Sequence, residues 1–137
     1  MVAIHAPMVG TPFLNNQTIV IAEAQSLTRK PIEVRLKQLG ATVYHCTTKK
    51  ELLSLCDRLH PHLLLLGSLP QTNSLNLFRQ CRHSWQNTPV ILLANQPVVN
   101  DYFRDWAIKQ GVNNVISSYP QNFAQLQTAI KDILFPI

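Results

Sequence analysis

Five short apolar runs constrain this chain more than anything else in it: Thr18–Ala22 (TIVIA), Ala41–Cys46 (ATVYHC), His62–Leu66 (HLLLL), Val90–Ala94 (VILLA) and Asn114–Ile116 (NVI). Most are continuous rather than alternating, which suits strands covered on both faces. Segments with helical spacing lie between them. A helical stretch precedes Gly40. Leu52, Leu55/Cys56 and Leu59 form one stripe, and Leu75, Phe78 and Cys81 another. Val99, Phe103 and Trp106/Ala107 form a third, and Phe123, Leu126, Ile130 and Ile133 the last. Gly40 and Gly111 stand where helices end, because glycine takes positive φ without a Cβ clash. Thr48-Lys49-Lys50-Glu51 is a capping box, and Asn122 with Gln125 is a second capping pair. Pro31 disfavours helix at Lys30, so the first regular helix is expected to begin near Pro31.

The order is (βα) repeated five times. It predicts an α/β fold, a doubly wound five-stranded parallel sheet with helices on both faces. No repeat, low-complexity tract or linker interrupts it, so residues 17–137 read as one domain and residues 1–16 as a flexible tail. The 46% of hydrophobic residues supports a globular core, and 14% charged is too little for a disordered chain. The net charge of +5 can steer acidic partners, but the basic residues are scattered and no basic-aromatic motif appears, so nucleic acid is not the expected partner. Cys46, Cys56 and Cys81 cannot all pair, and with no signal peptide or spanning segment the expectation is a cytoplasmic chain with reduced thiols.

In such sheets ligands bind beyond the carboxyl ends of the strands, where the winding changes direction. That rule selects Glu23 and Ala24, Gly67 and Ser68, Ala94 and Asn95, and Ser117 and Ser118.

The stretches LTRKPIEVRLKQLGATV (27–43), LPQTNSL (69–75), TPVILLAN (88–95) and GVNNVISS (111–118) carry a resemblance. Over about Thr18–Leu134 the chain resembles a response-regulator receiver domain, whose sheet is flavodoxin-like. Asn73-Ser74 replaces the Asp-Gly of that family's loop after the third strand. The resemblance implies a phosphorylation site built from an acidic pair that holds Mg²⁺, an acceptor Asp, a Thr/Ser and a Lys. Glu23 matches the first acid, and Ala24 replaces the second. The acceptor position falls on Gly67 with one residue deleted before Leu69-Pro70, and on Leu66 with none. Ala94 takes the Thr/Ser position, Ser118 the Lys position, Tyr119 that of the following Pro, and Val115 that of the aromatic on strand five.

No slip of the alignment repairs this, because the chain has no Asp or Glu between Asp57 and Asp101. The chain is therefore expected to be a degenerate member, a pseudo-receiver, with no cofactor and no enzymatic activity. Glu23, if buried beside Ala24 and Leu66, is expected to have a raised pKa, or else to be solvated or bound to Ser117 or Ser118.

Other chemistry is less well supported. His45, Cys46, Cys56, His60 and His62 lack the tight spacing of zinc ligands. They read as a packed thiol and loop histidines, and no metal site is expected. Ser68, Ser117 and Ser118 lack a nucleophile elbow. The stretch Asn100–Gln110, Asn114–Ile116 and Asn122–Leu134 forms the face that receivers use for partners and dimers, with Tyr102, Trp106, Val115 and Tyr119 as candidate contacts. The function expected is a non-phosphorylatable module of a bacterial two-component or phosphorelay pathway. It acts by protein–protein interaction, with a sensor kinase, a regulator or a second copy as partner. The alternative is a small-ligand sensor using the altered crevice at the strand ends.

Overall fold

A computed structural model describes residues 12–137. Five strands are present: β1 (Thr18–Ala22), β2 (Thr42–Cys46), β3 (Leu63–Leu66), β4 (Val90–Ala94) and β5 (Asn114–Ser117). They alternate with helices α1 (Ser26–Gln38), α2 (Lys49–Leu59), α3 (Ser74–Cys81), α4 (Asp101–Lys109) and α5 (Phe123–Leu134). All strand pairings are parallel, and the order across the sheet is β2-β1-β3-β4-β5.

Alternate side chains of each strand leave on opposite faces, and this divides the core into two layers. Val20, Leu64, Leu66, Leu92 and Val115 pack with Leu52, Leu77 and Ala107, under α2, α3 and α4. Ile19, Ile21, Leu65, Ile91 and Ile116 pack with Leu36, Leu126 and Ile130, under α1 and α5. The continuous runs of β3 and β4 are thus the sequence signature of strands apolar on both sides.

Gly40 and Gly111 follow α1 and α4 with φ of 102° and 116°, the left-handed conformation expected of helix-terminating glycines. Thr48 caps α2 by accepting from the Glu51 amide, at 3.2 Å. Asn73 and Asn100 cap α3 and α4 through their side-chain oxygens.

Three expectations are corrected. Helix α1 starts at Ser26, not near Pro31, and Pro31 sits inside it. The ring removes one amide, but the apolar spacing of Ile32 and Leu36 holds the helix on the sheet. Asn122 does not cap α5; its Nδ2 donates 2.7 Å to the Pro97 carbonyl. The tail expected for residues 1–16 does not extend to 16. Leu14 is fully buried and its amide donates 2.9 Å to the Leu39 carbonyl. The rest of that expectation, residues 1–11, lies outside the described residues.

Candidate functional site

The chain winds from β1 outward to β2, then crosses back to β3 and on to β4 and β5. The change of direction lies between β1 and β3, where Ala22 pairs with Leu66. Glu23 and Gly67 are the next residues of those two strands, so register alone brings them together.

Glu23 is buried, with 4% of its surface exposed. Its Oε1 accepts from the Ser68 amide at 3.1 Å, and its Oε2 from the Gln25 amide at 2.9 Å. Gln25 is the N-cap of α1 and caps nothing with its own side chain, and the first turn of α1 holds no acid. The Glu23 carboxylate thus supplies the negative group that a helix amino terminus favours. It bonds neither Ser117 nor Ser118, contrary to that expectation.

Gly67 explains how the carboxylate fits. A Cβ added at Gly67 meets Glu23 Oε1 at well below contact distance, and Glu23 Cδ at 3.0 Å. The carboxylate therefore lies where a side chain at position 67 would lie. Leu66, the other position open to the acceptor, points into the core with Val20 and Ala22.

The remaining positions hold the loops together. The Ala24 amide donates 2.9 Å to the Ser68 carbonyl. The Ser118 amide and hydroxyl both donate to the Ala94 carbonyl, at 2.9 and 3.3 Å. The Ser117 hydroxyl donates to the Gln96 carbonyl and accepts from the Tyr119 amide at 3.1 Å. Neither serine hydroxyl has an acid–base partner.

One buried network was not anticipated from the sequence. Arg29 Nη1 donates 2.9 Å to the Glu23 carbonyl, and Arg29 Nε lies 2.7 Å from Glu33 Oε1. His45 Nδ1 approaches Glu33 Oε2 at 3.5 Å from β2. Arg29 and Glu33 are both over nine-tenths buried. Their four-residue spacing was the available signal, but that spacing is equally common on solvated helix faces.

The metal candidates are dispersed. His60 closes α2 in a left-handed conformation, and His62 Nδ1 accepts from the Thr18 amide at 2.9 Å, both at the amino-terminal edge of the sheet. Burial pushes the Cys46 and Cys56 thiols up to about 12, far from the thiolate a metal or nucleophile needs. Among the described residues no group of three or more His, Cys, Asp and Glu side chains is placed to hold a metal.

The candidate interface divides. Tyr102 is 88% exposed and Trp106 41%, on α4. The Arg79 guanidinium lies 5.1 Å from the Trp106 ring centre. Val115 is corrected: it has no exposed surface and packs in the core, because β5 turns that residue inward. Tyr119 lines a different feature, a groove between α1 and α5.

Sheet order, two-sided helical cover and the junction at Glu23 and Gly67 define a flavodoxin-like receiver fold. Solved structures bear this out. The receiver domain of the histidine kinase CKI1 from Arabidopsis thaliana, complexed with Mg²⁺ and BeF₃⁻, is 19% identical with a TM-score of 0.74, covering 93% of this chain and 95% of that one. The receiver domain of the trimethylamine N-oxide (TMAO) respiratory response regulator TorR is 24% identical with a TM-score of 0.73, covering 88% and 98%. A putative response regulator from Chloroflexus aurantiacus is 20% identical with a TM-score of 0.72, covering 86% and 97%. No family model and no curated protein matches the sequence. No helix among the described residues is long and apolar enough to cross a membrane.

Proposed function

We propose that the chain is a pseudo-receiver, a non-enzymatic module of two-component or phosphorelay signalling that keeps the receiver fold without its phosphorylation chemistry. The observation that carries this is the Glu23 carboxylate lying where the side chain of an acceptor at position 67 would be. Mg²⁺ prefers several hard oxygen ligands and keeps much of its water. The strand ends offer one carboxylate, already engaged by two amides, and a methyl group at Ala24. That donor set does not fit the ion. Nor does it provide a cation for a phosphoryl group, since Ser118 directs its hydroxyl to the Ala94 carbonyl.

With no phosphate as input, the module works through protein contacts, in one fixed state or in a state selected by a partner. The exposed Tyr102 and Trp106 on α4 support a docking face there, because aromatics with large accessible area are common interface anchors. The partner is a sensor kinase, a regulator or a second copy, and the setting is the cytoplasm.

Acetyl phosphate with Mg²⁺, followed by intact-mass measurement, tests the central claim. No phosphoryl adduct is expected. An adduct that disappears on Glu23 or Ser118 substitution overturns it.

A further inference from the structure

A groove of about 470 Å³ opens between the first half of α1 and the loop leading into α5. We propose that it binds a small amphiphile, a molecule with a hydrocarbon or aryl tail and an anionic head. The reading is independent of whether the chain accepts a phosphoryl group.

The walls are hydrocarbon. Leu27, Pro31 and Val34 line one side at a spacing of four and three residues, which puts them on one helix face. Tyr119, Pro120 and Phe123 line the other. Between them the groove reaches Ile32 and Leu126, which belong to the core, so it is a slot between two helices and not a flat patch. Leu27 is 91% exposed and Val34 53%, an apolar rim that water meets directly. The volume falls within the range of small-molecule sites, about 300–1,000 Å³.

The charges are one-sided. Among the described residues, Lys30 and Arg35 are the charged ones lining the groove. The acid on α1, Glu33, is buried against Arg29. Arg35 lies over the Phe123 ring, 4.3 Å from its centre, so a cation is held across one wall. The Ser117 and Ser118 hydroxyls are spent on backbone carbonyls. The charged partners open to a ligand are therefore Lys30 and Arg35, and the two buried serine hydroxyls offer it little. This favours a tail pointing inward and a carboxylate, sulfate or phosphate head outward. It also disfavours a cationic head, which would meet like charge.

The test uses sodium dodecanoate below its micellar range, with dodecyltrimethylammonium as the opposite-charge control. Titration is followed by thermal shift and by amide chemical shifts. Dodecanoate is expected to bind saturably, with shifts concentrated in Ser26–Arg35 and Tyr119–Leu126, and the cationic control about tenfold more weakly. Leu27→Glu, at an exposed site, is expected to weaken dodecanoate about tenfold, with Val34→Glu as a second variant should the first fail to fold. Lys30→Glu is expected to erase the preference for the anionic head. Absence of saturable binding overturns the proposal. So does equal binding of both amphiphiles, or affinity indifferent to the Leu27 and Val34 changes. Binding of a Glu-flanked amphipathic peptide in the groove without binding of dodecanoate also overturns it, in favour of a protein ligand.

Discussion

Glu23 and Gly67 compete for one volume, and this coupling is measurable. Glu23→Ala leaves the Gln25 and Ser68 amides without their acceptor, a loss of about 1–2 kcal/mol. Gly67→Ala forces the carboxylate aside, at about 1–3 kcal/mol. In the double variant the added methyl meets no carboxylate, so the summed losses should exceed the observed loss by about 1 kcal/mol or more. Urea denaturation of the four proteins measures this. Additivity within about 0.3 kcal/mol would sink the idea that Glu23 fills the place of a side chain at position 67. The sequence showed that an acid was missing from the end of β3. It did not show that Glu23 had moved into the space, because a carboxylate's direction depends on two amides from different loops.

At the scale of elements, the start of α2 ties stability to pH. Glu51 accepts from the Thr47 amide at 3.1 Å and from the hydroxyls of Thr47 and Thr48, each at 3.2 Å. The hydrogen bond from the Thr47 amide is the main cause that holds its carboxyl below the ordinary 4.5, with the Thr48 hydroxyl next. The folded state therefore binds this proton less readily than the unfolded state. The resulting stabilisation is complete above pH 4.5 and disappears as pH falls through the lowered value. Glu51→Gln should lose stability relative to wild type near neutral pH, with the gap closing in acid. A gap that stays constant with pH refutes the linkage. This cap was legible because Thr-x-x-Glu has a fixed geometry. Asn122 was misread because it ends a short 3₁₀ turn, Pro120–Asn122, that runs directly into α5, and its side chain turns to the Pro97 carbonyl instead of back onto the helix. Pro31 was misread for a different reason. Its lost amide is a local penalty, whereas the burial of Ile32 and Leu36 is a tertiary gain that local rules do not see.

For the whole molecule, the alternation of apolar runs and helical stripes made the five-stranded parallel sheet legible, while the strand order came with the structure, and with it the meeting of Glu23 and Gly67. Which face a residue takes was less legible. Val115 and its neighbour Ile116 are both buried, and only the sheet's cover by α4 on one side and α5 on the other shows why neither reaches a partner. The groove between α1 and α5 was invisible for the same reason, since its two walls lie about 90 positions apart in the chain. The amino-terminal limit of the fold is the sharpest case. Phe13 and Leu14 sit in a polar, proline-containing stretch that reads as a loose segment. Yet Leu14 packs with Ile19, Leu36 and Leu39 beneath the α1–α5 layer and is hydrogen-bonded to the end of α1. Leu14→Ala should therefore behave as a core truncation and cost about 2–5 kcal/mol. Against a typical domain stability of about 5–15 kcal/mol, that is a large fraction. The loss should appear as a lower denaturation midpoint at unchanged denaturant slope, because the surface exposed on unfolding hardly changes. A loss below about 0.5 kcal/mol, the level of ordinary surface substitutions, would return residues 12–16 to the tail.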